Sequence, residues 1–437
     1  MAQGSVYQYI CCMEILIGIV FILGYFAITF EHKLQVNKAA IAILTGVLCW
    51  TIYVLSTGES VTVSHVPEAL AHHLGDISAI LFFLLGAMTI VELIDAHDGF
   101  DIITDYIKTR KKRTLLWIIA LLSFFLSAIL DNLTTAIVMV ALLDKLLYEK
   151  EDKWFFAGVV IIGANAGGAW SPIGDVTTTM LWIGGQITSP NIIARLFLPS
   201  LTCLLVPLIF ISLRMKGEFE KKTIIIDPGK HKTSVKHQYI IFFSGLAVLL
   251  FVPVFKTITH LPPYMGILLG LGILWILSEI IHKDKDEADK DIYSVVHALR
   301  KIDVPSILFF LGILLSVAAL EATGVLRQCA AFLDHGLKDI NLIVLSIGLL
   351  SAIVDNVPLV AAAQGMYDLS IYPTDHYFWE FLAYTAGTGG SVLIIGSAAG
   401  VAAMGMEKID FFWYLKKISW LALIGYFSGA LIYIFLN

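Results

Sequence analysis

The chain has 437 residues, 58% of them hydrophobic and only 15% charged, with a formal net charge of −6. Soluble proteins average roughly 45–50% apolar and about 25% charged residues, so an ordinary soluble domain is excluded. The slightly acidic balance gives no reason to expect a nucleic-acid partner.

Apolar runs near 20 residues recur along the chain, each able to cross a ~30 Å hydrocarbon core as a helix. In chain order they cover about 10–30, 39–56, 77–95, 115–143, 155–185, 193–213, 238–255, 263–281, 305–321, 341–366, 378–404 and 411–436. The first follows no basic n-region and no small-residue cleavage site, so a span is expected there rather than a removable signal peptide. The five cysteines (Cys11, Cys12, Cys49, Cys203 and Cys329) show no metal-ligand spacing and read as buried small apolar residues.

Two runs carry an Asp-Asn pair near their middles, SAILDN at 127–132 and SAIVDN at 351–356. A charge there is expensive. If 115–143 and 341–366 each enter the membrane, turn at the motif and return on the same side, ten crossings remain. With both termini outside, all of the 29 Lys and Arg except Arg195, Lys256, Arg327 and Lys338 then fall on the inner side, as the positive-inside rule requires.

The chain also repeats. ILFFLLGAM at 80–88 matches ILFFLGILL at 307–315, SAILDN matches SAIVDN, and Gly167, Gly168 and Gly174 match Gly389, Gly390 and Gly396, in order and at offsets of 227, 224 and 222. Five crossings per half is an odd number, so the second half is inverted. Inverted repeats with helices broken at the midplane are a design of secondary transporters. The expected fold is an all-α polytopic membrane protein of two inverted-topology repeats, each with five crossings, one re-entrant helical hairpin and one broken helix. The first repeat spans 1–213 (hairpin 115–143, broken helix 155–185), a cytoplasmic linker spans 214–237, and the second repeat spans 238–437 (hairpin 341–366, broken helix 378–404).

The run GANAGGAWSPIGDVTTTMLW at 163–182 holds too much glycine and proline for an unbroken helix, since Gly costs about 1 and Pro about 3 kcal/mol relative to Ala in a helix interior. A break is expected near Gly167, Gly168, Pro172 and Gly174, and a second at Gly389 and Gly390. Broken backbone is tolerated in a membrane only where protein or a wet cavity satisfies it, so each break marks a cavity. The hairpin tips bring Asp131, Asn132, Thr134, Thr135, Asp355 and Asn356. The broken helices bring Asn165, Asp175, Thr177, Thr178, Thr388, Ser391 and Ser397. Three acids and many neutral oxygens, without Lys or Arg, suit a small hard cation such as Na⁺, with Asp131 and Asp175 as its charged ligands. Desolvation disfavours a charged carboxyl by about 1.36 kcal/mol per pKa unit, so a proton can compete with the cation for the same oxygens. If the site changes sides only when filled, cation–proton exchange follows.

Two competing readings are an anion carrier, such as a Na⁺-coupled dicarboxylate symporter, and an intramembrane aspartyl protease using Asp131 and Asp175. The first lacks a cationic partner in the polar set. The second expects Gly-x-Gly ahead of its second Asp, where this chain has Pro172-Ile173-Gly174, and it leaves the repeat without a role. Glu92, Asp95, His97, Asp98 and Glu321 read as charges at the membrane interface, with proton entry or gating as the sharper alternative. Glu14 and Glu279 read as snorkelling or capping groups near span ends.

The runs SAILDNLTTAIVM, GANAGGAWSPIGDVTTTMLW, SAIVDNVPLVAA and AYTAGTGGSVLIIGSAAGVAAMG resemble the NhaD-type Na⁺/H⁺ antiporters of the ion transporter superfamily, over about residues 77–436. The resemblance implies antiport of Na⁺, and of Li⁺, against H⁺ across a bacterial inner membrane or an organelle membrane of bacterial descent. It implies no cofactor and no enzyme activity, a transport domain that moves against a scaffold, and often a homodimer embedded in membrane lipid. By the same carry-over, Asp131, Asn132, Asn165, Asp175, Thr177 and Thr178 match the positions used in the first half, and Ser351, Asn356 and Ser391 those in the second.

Overall fold

The computed structural model describes residues 2–29, 34–56, 65–107, 109–219, 233–283 and 286–437, and only the backbone at 2–14, 29, 56, 65, 104–106 and 287–289. Lys33, Lys108, residues 220–232 of the expected linker, and the side chains of Cys11, Cys12 and Glu14 lie outside the described set.

The described residues are dominated by helices. The chain begins with α1 (Ala2–Thr29), α2 (Lys38–Ser56), α3 (His65–Ala96) and the short α4 (Asp101–Tyr106). It continues through α5 (Lys112–Leu130), α6 (Asn132–Leu146), α7 (Lys150–Ala169), α8 (Val176–Ile183) and α9 (Ser189–Arg214). Next come α10 (Val235–Thr259), α11 (Pro263–Ile281), α12 (Glu287–Ile292), α13 (Val295–Lys301), α14 (Val304–Ala322) and α15 (Val325–Leu337). The last are α16 (Ile340–Leu350), α17 (Asn356–Met366), α18 (Tyr377–Gly389), α19 (Ala398–Glu407), α20 (Phe411–Lys417) and α21 (Ser419–Leu436). Eight of these, α2, α3, α5, α9, α10, α11, α14 and α21, are long and apolar enough to cross a membrane, so the chain is an all-α polytopic membrane protein.

Several boundaries differ from expectation. Residues 325–337 form a helix outside the expected runs, because Gly324 at φ 81 and Lys338 at φ 56 supply left-handed ends around an amphipathic pattern. The run at 411–436 is divided at Ile418. Lys112–Leu130 alone is 19 residues long, enough for a span. Cys49 and Cys203 are buried as expected, but Cys329 is exposed, because it lies on the outer face of α15.

Two compact units are present. The first comprises residues 1–82, 303–346 and 357–373, and the second comprises 83–302, 347–356 and 374–437. In the first unit α2 crosses α14 at glycine. A Cβ on Gly312 would stand 2.3 Å from the Ile43 amide nitrogen, and one on Gly46 2.7 Å from the Gly312 carbonyl oxygen. Small residues here let the backbones approach, as expected for helices packed within a bilayer. Trp50 Nε1 donates to the Leu315 carbonyl across the same crossing at 2.9 Å.

The second unit carries the motifs. Here the contacts of the two motif sets match pairwise. A Cβ on Gly167 would lie 2.1 Å from the Phe124 carbonyl oxygen, and one on Gly389 2.0 Å from that of Gly348. Gly168 faces Gly174 as Gly390 faces Gly396. Ser127 Oγ donates to the Ala164 carbonyl at 2.5 Å, and Ser351 Oγ to that of Ala386 at 3.0 Å. Each pair is offset by 222 or 224 positions, the offsets of the sequence repeat. The glycines therefore let the helix that leads into each motif press directly on the helix that leads into the break.

Candidate functional site

Asp131 ends one helix and starts the next. It sits at φ 78, ψ 162 between α5 and α6, a backbone region that only glycine adopts readily and that persists elsewhere where the surroundings hold it. Its carboxylate caps α6, accepting from Thr134 N at 2.7 Å and from Thr134 Oγ1 at 2.9 Å. Asn132, the first residue of α6, is thereby set inward, and only 3% of it is exposed.

Helix α7 continues through Gly167 and Gly168 and ends at Ala169, with the irregular stretch running from Trp170 to Asp175. The break therefore lies on the Pro172–Gly174 side of the glycine run. Gly167 and Gly168 serve the close approach of neighbouring backbone rather than the break itself. Ser171 Oγ pins the irregular stretch to the Ala128 carbonyl at 2.6 Å. Asp175 then caps α8, with Oδ1 accepting from Thr177 N at 2.9 Å and from Thr177 Oγ1 at 2.8 Å. The second break follows the same plan. Gly389 closes α18, Gly390 opens the irregular stretch, and Ser397 caps α19 through Gly400 N.

The tertiary structure brings these pieces together at Asp175, which is 1% exposed. Asn132 Nδ2 donates to Asp175 Oδ2 at 2.5 Å and to Asn165 Oδ1 at 3.0 Å. From the other motif, Asn356 Nδ2 lies 3.3 Å from both Asp175 oxygens. Asn165 Nδ2 in turn donates to Ser391 Oγ and Ser397 Oγ, both at 2.9 Å. Asp131 and Asp355 are half-buried, and each lies within electrostatic reach of Asp175. Among the described residues every hydrogen-bond donor to Asp175 is neutral. A buried carboxylate without a fixed cation carries an uncompensated charge, which leaves room for a mobile cation or a proton.

Of the other expected residues, Thr178 is fully buried and donates to the Asp175 backbone carbonyl at 2.9 Å, a bond local to the helix end. Ser351 is buried and donates to the Gly348 and Ala386 carbonyls, tying the second motif turn to α18. Thr388 donates to the Tyr384 carbonyl one turn back, away from the network. Among the described residues no group of three or more His, Cys, Asp and Glu is gathered closely enough to hold a metal ion by itself. The cluster is one carboxylate ringed by amides and hydroxyls, with two further acids nearby.

Two residues contribute more than their local sequence suggests. Ser397 sits 222 positions after Asp175, where the repeat places a hydroxyl in register with the acid. Ser127 ties the first motif turn to α7. The repeat offset is the signal that identifies both.

The charges expected at the membrane interface are also placed. Glu92 pairs with Lys301 at 3.4 Å. Glu279 accepts from Trp275 Nε1 at 2.9 Å. His97 is fully buried at the end of α3, with Nδ1 on the Leu93 carbonyl at 2.7 Å and Nε2 facing His282 Nε2 at 3.0 Å. Its ring packs against His282 and Tyr293, so protein rather than solvent surrounds it.

Residues 25–389 match a family model described as a citrate transporter. A sodium/proton antiporter 1 of Arabidopsis thaliana is 52% identical over 96% of this chain and 72% of its own length. Sodium/proton antiporter 2 of the same plant is 48% identical over 97% of this chain and 98% of its own. The Na(+)/H(+) antiporter NhaD of Vibrio cholerae is 32% identical over 96% of this chain and 91% of its own.

Proposed function

The chain belongs to the family of NhaD-type sodium/proton antiporters, and from that membership we propose that Asp175 and its ring of neutral donors bind Na⁺ and H⁺ in alternation. The protein is a secondary transporter rather than an enzyme, and it exchanges Na⁺ for H⁺ across the membrane. The observation that carries the site assignment is that Asn132 and Asn356, from the two motif copies, both converge on one buried carboxylate that has no cationic partner among the described residues.

The mechanism follows from the donor set. With Asp175 charged and empty, the amide NH₂ groups of Asn132 and Asn356 satisfy its oxygens. An amide carries a carbonyl oxygen on its other arm. Rotation of Asn132 and Asn356 turns those oxygens inward, and together with Asp175 they form a hard-oxygen shell suited to Na⁺. Asn165 buffers this rotation, because its Oδ1 holds Asn132 while its Nδ2 is held by Ser391 and Ser397. Asp131 and Asp355 add negative potential that favours a cation. A proton on Asp175 cancels the charge that attracts Na⁺, so one ligand expels the other. Thr177 orients the carboxylate, and Thr178 and Ser351 hold the backbone around it.

The finer architecture belongs to the same proposal. The two halves, 1–213 and 238–437, form inverted repeats, each with five crossings, a hairpin at 115–143 or 341–366, and a broken helix. The matched contacts at offsets 222 and 224 and the distribution of basic residues support this arrangement. We likewise propose Li⁺ as a second cargo, a homodimer, external termini, and residence in a bacterial inner membrane or an organelle membrane of bacterial descent.

An organic-anion carrier is disfavoured by the same chemistry. Citrate needs fixed positive charge or free amides at a helix N-terminus. No Lys or Arg bonds Asp131, Asp175 or their amide partners among the described residues, and the first-turn amides of Thr134 and Thr177 are taken by those two carboxylates. The test is purified protein in liposomes, with internal pH followed after a Na⁺ pulse. Proton movement that requires Na⁺ and is lost in Asp175→Asn supports the reading. Citrate uptake without Na⁺–H⁺ exchange overturns it.

A further inference from the structure

Thr135 is fully buried in the first turn of α6, and its hydroxyl has no hydrogen-bond partner among the described residues. Several threonine hydroxyls on other helices donate to the carbonyl four residues back, as Thr45 does to Ile41, Thr89 to Leu85 and Thr202 to Leu198, at 2.6–2.8 Å. Among the described residues the buried hydroxyls of Ser200, Thr233 and Ser419 also lack a partner, but of these four Thr135 alone belongs to an Asp-Asn motif segment. The corresponding carbonyl for Thr135 is that of Asp131. It accepts the Thr135 amide at 3.1 Å but not the hydroxyl.

The neighbouring hydroxyls at both acids are all committed. Thr134 Oγ1 donates to Asp131, Thr177 Oγ1 to Asp175, and Thr178 Oγ1 to the Asp175 carbonyl. Thr135 lies three residues after Asn132, hence on the same face of α6. Side chains on a helix tilt toward its N-terminus, so the Thr135 side chain leans toward the Asp131–Asn132 tip. A buried hydroxyl left without a partner destabilises a fold, and such groups in native proteins call for an explanation.

We infer that Thr135 is a further ligand of the transported cation, its hydroxyl committed to no described protein group so that its oxygen is offered to the ion beside Asn132 and Asp175. The inference rests on the antiport reading above. It adds a neutral oxygen from the first motif to a shell otherwise made of carboxylate and amide oxygens. The other motif has no hydroxyl at the matching position, because Leu359 stands 224 residues later.

The structural and functional roles predict opposite outcomes for one substitution. Thr135→Val keeps the shape and removes the hydroxyl. If the hydroxyl serves only the fold, it makes no bond to lose, and the substitution leaves Na⁺ affinity unchanged. If it is a ligand, the apparent KM for Na⁺ rises roughly three- to tenfold, the size expected for one polar contact, while the protein melts at the same temperature or higher. Thr135→Ser, which keeps the oxygen, restores the wild-type KM.

The experiment is Na⁺-dependent proton movement in proteoliposomes of the wild-type, Thr135→Val and Thr135→Ser proteins, with thermal unfolding of each in detergent. An unchanged KM in Thr135→Val overturns the inference, as does a raised KM that Ser does not restore. A Thr135→Val protein that fails to fold also overturns it, because the hydroxyl then has a structural partner. A wild-type protein without Na⁺-dependent proton movement overturns the antiport reading, and the inference with it, whereas an active wild type with an indifferent Thr135→Val overturns the inference alone.

Discussion

Asn356 and Asp175 are 181 positions apart, yet the amide nitrogen of one lies 3.3 Å from both carboxylate oxygens of the other. Asn132 reaches the same carboxylate from the first motif copy. Asp175 is thus the point shared by the two Asp-Asn motifs, and its substitution is the most severe expected. Asp175→Asn keeps the volume and removes the charge, so Na⁺-dependent proton movement falls to background while the protein still folds. Exchange that persists near the wild-type rate, measured in proteoliposomes, contradicts this.

Removing either amide weakens the shell without abolishing its charge. Asn132→Ala and Asn356→Ala are each expected to raise the apparent KM for Na⁺ by about an order of magnitude, close to ~1.4 kcal/mol. Asn132→Ala is the worse of the two, because it also releases Asn165. A double-substitution cycle of Na⁺ affinity checks the order. Equal effects from the two single substitutions contradict it.

Proton and cation compete for one carboxylate in the proposed mechanism, which fixes the direction of the pH response. Lowering pH raises the proton occupancy of the site, so more Na⁺ is needed to displace it. The apparent KM for Na⁺ should therefore fall as pH rises and level off once protons no longer occupy the site. A KM measured across the pH range that stays flat while the maximal rate changes rules out competition at one site.

Close backbone approach at the glycines gives a stability prediction independent of transport. A Cβ on Gly167 or Gly389 would stand 2.1 or 2.0 Å from a neighbouring carbonyl oxygen, whereas one on Gly405 meets nothing within 4 Å. Gly167→Ala and Gly389→Ala should each cost roughly 1–3 kcal/mol, the usual range for overpacking, and Gly405→Ala should cost nothing or stabilise its helix. Thermal unfolding in detergent compares them. Similar melting temperatures for all three contradict the close backbone crossing of the helices that lead into the two motifs.

Lys256 holds the far end of the half-helix that begins at Asp175. Its ammonium donates to the Trp182 carbonyl at 2.6 Å and lies 4.4 Å from the centre of the Trp182 ring. That carbonyl belongs to the last turn of α8, where carbonyls run short of intrahelical amide partners. Lys256→Met retains the stem and removes both interactions, and a loss of about 1–2 kcal/mol is expected. Lys256→Arg should recover part of it. A melting temperature unchanged in Lys256→Met shows the contact to be energetically idle.

Sequence alone determined the class of this protein, because apolar runs of membrane-spanning length follow from composition and need no tertiary information. It also marked the polar residues, since Asp131, Asp175 and Asn356 stand out against an apolar background, and it located both breaks to within a few residues through Gly and Pro. The repeat offset even carried the close contacts of Gly167 and Gly389. What only the tertiary structure decided is which of these groups meet. Asn132, Asn165 and Asn356 are three amides in three separate segments, and nothing local distinguishes the two that reach Asp175 directly from the one that relays to Ser391 and Ser397. His97 reads as an interfacial charge in the sequence because its partners, His282 and Tyr293, lie far along the chain. Local propensity and hydropathy depend on neighbours in sequence. Hydrogen-bond partners inside a packed bundle depend on helix crossings set by shape, and those are fixed only when the whole chain packs.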